Sequence, residues 1–245
     1  MPHVSNAIGV VVCAVLEIEV GHFVARSSSV VGVERLPQGL HNEPDRLRVE
    51  LQNAVDRIEK TTDCDTVVLG YGLCSRGSEG VNTRRARLVV PRAHDCIALL
   101  LGSHKRYKAY VEEHPGTYWY SPGWNRFHLP PGKERYERLR HQYLAQYGEE
   151  NADYLMEQEQ AWFSTYSRAT FVDIGIGAKT DDIEYTKECA RWLGWEFDRQ
   201  RGSPKFIHDL VFGPWDDERF LVLQPGETHR MTADDRVIER APAAP

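Results

Sequence analysis

Short, unbroken apolar runs alternate with longer segments of helical periodicity through the first half of the chain. Ile8 to Val12 is apolar at every position, as a strand buried on both faces requires, and it ends at Cys13. Val15, Ile18 and Phe23, set among Glu17, Glu19 and His22, predict a helix over 14–25. The β-branched, serine-rich stretch 27–36 predicts an additional strand. Leu47, Leu51, Val55 and Ile58 recur at intervals of four, four and three and give a helix over 45–61 one apolar stripe. Pro44 suits its first turn and Asn42 its cap. Strands over 66–70 and 87–90 and a helix over 97–110 follow. Strand, helix, strand is the order of right-handed parallel crossovers.

The second half opens on an aromatic strand over 117–120 and breaks at Pro130, Pro131 and Gly132. Two charged helices, 133–147 and 149–166, are divided by Gly148 and read as a solvated pair. A strand over 169–174 precedes a helix capped by Thr180, with Asp181 and Asp182 in its first turn and Gly194 at its end. A strand over 195–198, a helix over 204–212 and a strand over 220–223 complete the pattern. The expected fold is α/β and three-layered with a mostly parallel sheet, arranged as two Rossmann-like lobes with a cleft between them. An N-terminal lobe over 1–115 would carry the site. A C-terminal lobe over 116–232 would contain a helical insertion at 133–166, and 233–245 would form a flexible tail.

Composition narrows the partners. A net charge of −6 argues against nucleic acid, because such binding rests on phosphate neutralisation. The apolar run from Ile8 to Leu16 has no Lys or Arg before it and no cleavage pattern after it, so it is not read as a leader. No run approaches the ~20 apolar residues a membrane span needs. A cytoplasmic protein without a membrane partner is expected. Five cysteines in 245 residues fit reduced thiols, ligands or catalysis better than a disulfide framework.

Three of those cysteines follow successive strands: Cys13, Cys74 and Cys96. Loops at the carboxyl ends of parallel strands share one edge, so these thiols are expected to converge there. Cys64 and Cys189, before a strand and within a helix, read as small apolar residues. His94 and Asp95 precede Cys96 at a strand-to-helix junction, where the helix dipole would favour a thiolate; Asp95 is read as a cap. Cys96 is thus a metal ligand, or a nucleophile with His94 as its base. Gly70, Gly72 and Gly77 allow sharp turns around Cys74, and Arg76 is placed as a clamp for an anion. Glu17 is an acid or base candidate, with a surface carboxylate as the competing reading. Tyr71, Trp119, Tyr120 and Trp124 read as inter-lobe packing or as a pocket wall.

Three thiolates on a divalent ion leave one net negative charge, which suits thiol activation, alkyl transfer or sulfur chemistry. Two thiolates plus His94 leave a neutral centre closer to hydrolytic zinc. An iron–sulfur cluster with one open iron is the remaining option, and a transition metal, zinc ahead of iron, is the first.

Cys13 with Leu16 and Glu17, GYGLCSRGSEG at 70–80, PRAHDCIALLLGS at 91–103, TYWYSPGW at 117–124 and FLVLQPGE at 220–227 resemble a bacterial and archaeal family, domain-of-unknown-function family 1638. The similarity runs from about Gly9 to Gly226. The resemblance implies Cys13, Cys74, His94 and Cys96 as site positions and associates the chain with corrinoid methyl-transfer systems. The resulting expectation is a metal-dependent transferase or lyase acting on a small anionic molecule at a C–S, C–N or methyl centre. Cys13, Cys74, Cys96 and His94 would hold the metal, with His94, Arg76 and Glu17 as the working groups. Alternatives are a non-catalytic metal or corrinoid carrier serving a methyltransferase and a metal-free cysteine enzyme. A homo-oligomer stays open.

Overall fold

Strand β1 (Ile8–Cys13) is buried along its whole length, and its side chains alternate between two cores. Val11 and Cys13 join one, while Ile8, Val10 and Val12 join the other. The structure, a computed structural model, describes residues 7–241. A 3-10 turn (Ala14–Leu16) leads from β1 into α1 (Glu17–Val24), followed by β2 (Val30–Leu36), a second 3-10 turn (Leu40–Asn42), α2 (Pro44–Thr61), β3 (Thr66–Gly70) and β4 (Arg87–Pro91). Then come α3 (Cys96–Leu101), α4 (His104–Glu113), β5 (Thr117–Tyr120), α5 (Pro122–Phe127), α6 (Lys133–Tyr147) and α7 (Glu149–Phe163). β6 (Arg168–Asp173), α8 (Thr180–Leu193), β7 (Glu196–Arg201), α9 (Lys205–Phe212), β8 (Phe220–Leu223), β9 (Thr228–Met231) and β10 (Ile238–Ala241) complete the described chain.

The fold is mixed α/β with a mostly parallel main sheet ordered β2-β1-β3-β4-β8. Leu47, Leu51, Val55 and Ile58 of α2 pack on one face of it. The first 3-10 turn, α1, α3 and α9 cover the other through Leu16, Val20, Leu99, Phe206 and Leu210. The connections through α1 and α2 depart to opposite sides of β1, so the strand order reverses between β1 and β3. In open α/β sheets a ligand crevice forms at that reversal, outside the carboxyl ends of the strands. A second, all-parallel sheet, β5-β6-β7, lies alongside, and its Val172, with Ile174 just beyond β6, joins the core of the main sheet. α6 buries no residue, in keeping with a solvated helical pair. Among the described residues no helix is long and apolar enough to cross a membrane.

Several boundaries differ from expectation. Asn42 belongs to the 3-10 turn, and Glu43 precedes α2 at φ −127° and ψ 74°, outside the helical region and without a side-chain cap, because Pro44 disfavours helical backbone in the residue before it. The helix expected over 97–110 is two: Gly102, at φ 80°, closes α3, and the Ser103 hydroxyl accepts from Arg106 N at 3.3 Å to start α4. Thr180 is the first residue of α8 rather than its cap, and Asp182 accepts from Lys179 N at 2.8 Å.

Two corrections concern the lobes. β8 does not join the C-terminal lobe but pairs antiparallel with β4, Leu223 opposite Leu88 and Phe220 opposite Pro91. The expected tail over 233–245 is ordered as far as it is described. β10 pairs with β9, and Val237 and Ile238 are fully buried against the α2 face of the sheet. Buried Arg92 clamps this hairpin by donating to the Arg236 and Ile238 carbonyls and, at 2.8 Å, to Asp217. Residues 242–245 lie outside the described residues.

Glu59, in the last turn of α2, accepts backbone N–H bonds from Arg84, Arg85 and Ala86 at 2.9, 2.8 and 2.9 Å and so fixes the approach to β4. Glu59→Gln puts an N–H donor where one carboxylate oxygen accepts. A loss of about 1–2 kcal/mol is expected as a lower urea midpoint; an unchanged midpoint would show that the loop does not depend on this carboxylate.

Candidate functional site

The carboxyl ends of β1, β3 and β4 form one edge, and the loops leaving β3 and β4 are laced together. Leu73 N donates to Ala93 O and Cys74 N to His94 O, both at 2.8 Å. This lacing needs glycine at position 72, where a Cβ would stand 2.7 Å from Asp95 Cα and N and 2.9 Å from Ala93 O. The next three residues, Cys74, Ser75 and Arg76, take left-handed φ angles of 45°, 56° and 68°, and Gly77 N closes the turn on Cys74 O at 2.9 Å. Left-handed backbone costs a side-chain-bearing residue about 1–2 kcal/mol, so three in succession persist only where surrounding contacts enforce them. Arg48 of α2 supplies some, donating to Glu79 O at 2.9 Å and Arg76 O at 3.1 Å. β9 supplies others: Gly80 N donates to His229 O at 3.1 Å, Met231 N to Glu79 at 2.6 Å, and Ser78 and His229 share a buried 3.2 Å hydrogen bond.

The second loop is fixed by Asp95. Its carboxylate accepts from Ile97 N at 2.9 Å, Ala98 N at 3.2 Å and the Tyr107 hydroxyl at 2.7 Å, which holds Cys96 as the first residue of α3. His94 is exposed beside it, its ring 4.8 Å from that of His104.

These loops border a cavity of about 410 Å³, within the range of small-molecule sites. Cys13, Cys74, Cys96 and His94 all line it. The other two expected groups do not. Arg76 turns to the outer side of the left-handed turn, exposed, with its Nε 3.0 Å from Glu79. Glu17 pairs with Arg35 at 2.9 Å, outside the lining. Tyr71 and Trp124 reach the cavity, as does Trp119, whereas Tyr120 is buried behind it and donates to Pro131 O at 2.9 Å. Cys64 and Cys189 are buried in separate cores.

His41 is a lining residue the sequence reading missed. It follows β2, whose loop opens on the same edge as those of β1 and β3, so the rule that gathers the cysteines also reaches His41. Tyr118, Trp162 and Tyr166 complete the far wall, two of them supplied by the helical insertion and the turn after it. Their participation has no local signature in sequence.

Burial raises the Cys13 thiol pKa. It also raises Cys74, reinforced by Cys13 and Asp95, and lifts Cys96 well above the usual range, reinforced by Asp95, Cys13 and Cys74. The expected dipole-stabilised thiolate at Cys96 is therefore reversed: α3 is six residues long and Asp95 occupies its free N–H groups. Three mutually sensitive thiols are held neutral. Among the described residues the buried Tyr71 hydroxyl and Trp124 indole N–H have no hydrogen-bond partner. Burial lowers His41, opposed by Asp95, and with Arg135 and His41 lowers His128, across Trp124, to about 4.

Among the described residues no three His, Cys, Asp or Glu side chains are already gathered tightly enough to form a metal site. The donors on this cavity are nevertheless those a soft or borderline transition metal takes, thiol sulfur and imidazole nitrogen. In comparison with known proteins, a family model described as a protein of unknown function (DUF1638) matches residues 35–211. No curated protein and no solved structure matches.

Proposed function

The chain belongs to the DUF1638 family, and we propose that it is an enzyme in which Cys13, Cys74 and Cys96, with His94, hold one transition metal. The proposed chemistry is group transfer or cleavage at a C–S, C–N or methyl centre of a small molecule. The observation that carries this reading is that three thiols from three separate loops line one cavity with His94 and His41. Thiolates suit zinc and iron and leave either ion less acidic than an all-histidine site would, which favours sulfur and alkyl chemistry over water activation. An ion would supply the charge that turns neutral thiols into ligands and would complete their gathering. His41, whose pKa burial lowers, is a second imidazole on the cavity that could move a proton beside the metal site. A metal-free cysteine nucleophile is less well supported, because the attacking species is the thiolate and burial works against it at each of the three positions. The five unpaired thiols fit a reducing, cytoplasmic setting.

Protein purified without oxygen is expected to carry about one zinc or iron per chain by elemental analysis. Cys74→Ala is expected to lose most of it, while Cys64→Ala, away from the cavity, retains it. A wild-type chain that stays empty after anaerobic purification and also after incubation with zinc and ferrous iron would overturn the reading.

A further inference from the structure

The cavity that the thiols line is also bordered by a cluster of aromatic rings. Tyr118 meets Trp162 at 88° with centroids 6.4 Å apart, Tyr166 at 76° and 5.3 Å, and Trp124 at 61° and 6.3 Å; Trp162 meets Tyr166 at 69° and 5.5 Å. Steeply inclined rings form the sides of a box, whereas a slot for a flat heterocycle takes parallel rings. The electrostatics of the lining point the same way. Among the described residues that border the cavity there is no Lys or Arg, and Asp95 is the one carboxylate. An anion would find no countercharge there, while a cation finds a carboxylate and the negative faces of several rings. Trp162 adds an independent sign: it is 52% exposed, on a helix whose buried residues are Ala152, Met156 and Phe163. Its ring packs by one side on Tyr118, Phe163 and Tyr166 and leaves the rest open at the cavity rim, where a ligand can cover it.

We propose that this cavity binds a small molecule carrying a methylated onium group, ammonium or sulfonium, with its methyls against Tyr118, Trp124, Trp162 and Tyr166. A methylated onium spreads its charge over methyl surfaces and is weakly hydrated, so an aromatic box replaces its water at low cost and gains cation–π attraction from each face. The inference assigns the substrate class of the proposed reaction site and rests on that reading of the cavity, but the binding itself requires no metal. It also replaces the small anion expected from Arg76, which lies outside the lining.

The test is calorimetric titration of the full chain with tetramethylammonium, with choline, and with the neutral analogue of choline bearing a tert-butyl group in place of trimethylammonium. Tryptophan fluorescence provides a second readout. Each titration is run on chelator-treated and on zinc-loaded protein. Both cations are expected to bind saturably, choline at least about tenfold tighter than its neutral analogue. Trp162→Ala, at a half-exposed position, is expected to weaken choline about fivefold while Trp162→Phe recovers most of the loss. Equal or tighter binding of the neutral analogue, tighter binding of tert-butylacetate, or no saturable binding of either cation would overturn the proposal. Choline binding by a protein that takes up no metal would sustain this inference while sinking the metal reading. Metal uptake without choline binding would do the reverse.

Discussion

Gly123→Ala is expected to destabilise the protein by about 3 kcal/mol or more, at or beyond the usual upper end for overpacking, because the added methyl meets backbone that has no rotamer to change. A Cβ at position 123 would stand 1.9 Å from Val15 O, 2.7 Å from Val15 C and 3.2 Å from Val15 Cα. Val15 lies in the 3-10 turn directly after Cys13, and Gly123 lies in the first turn of α5, next to Trp124. The close approach joins the thiol side of the cavity to its aromatic side. Relief of the clash requires the two elements to separate, which would carry Trp124 away from Cys13. A melting temperature lower by about 6–12 °C is expected for a chain of this size, accompanied by weaker onium binding. Gly21→Ala is the matched control: it lies within α1, and among the described residues nothing beyond its chain neighbours and its own helix backbone comes within 4 Å of its would-be Cβ, so it should leave stability unchanged or raise it by about 0.5–1 kcal/mol. A Gly123→Ala protein melting within about 2 °C of wild type would show that this contact does not hold the two sides together.

The thiol half of the cavity was readable because its cause is local and periodic. Continuous apolar strands must be central, parallel crossovers put their loops on one edge, and residues after such strands share that edge. That reasoning locates Cys13, Cys74 and Cys96 without any knowledge of contacts, and applied to β2 it would also have located His41. What it could not reach depends on partners distant in sequence. The apolar pattern of β8 suits either sheet, and only its pairing with β4 decides between them. The charged stretch before β10 resembles a solvated tail until Val237 and Ile238 are seen beneath the main sheet. Arg76 was misplaced for a different reason: a side chain's direction follows from φ, and three successive left-handed residues turn Cys74 inward and Arg76 outward. Glycines in the surrounding motif signal a sharp turn but not its hand. The aromatic half of the box has the least local signal, since Trp162 and Tyr166 are brought to Tyr118 by the packing of an insertion with few buried residues.

Glu19→Gln is expected to leave stability nearly unchanged at pH 5 and to raise it by about 2–3 kcal/mol at pH 8. Glu19, on α1, is 0% exposed, and among the described residues neither of its carboxylate oxygens has a hydrogen-bond partner. Burial raises its pKa from 4.5 to about 7; Arg126 of α5 opposes the rise and Asp182 of α8 adds to it. Arg126 is already committed to Asp182 at 2.6 Å and to Gly177 O at 2.8 Å, so it offers Glu19 a field rather than a bond. Because the folded pKa lies above the unfolded one, the folded chain holds the extra proton between about pH 4.5 and 7. The stability this proton provides is full below that window and is lost as pH rises through it. At about 1.4 kcal/mol per unit of pKa the whole difference is about 3 kcal/mol, which a neutral glutamine does not lose. Urea midpoints of both proteins across pH 5 to 8 check this, and a Glu19→Gln effect of the same size at both ends would place the proton elsewhere. The charge forms where α1 of the main sheet meets α5, so rising pH loosens the joint behind the thiols and the aromatic box.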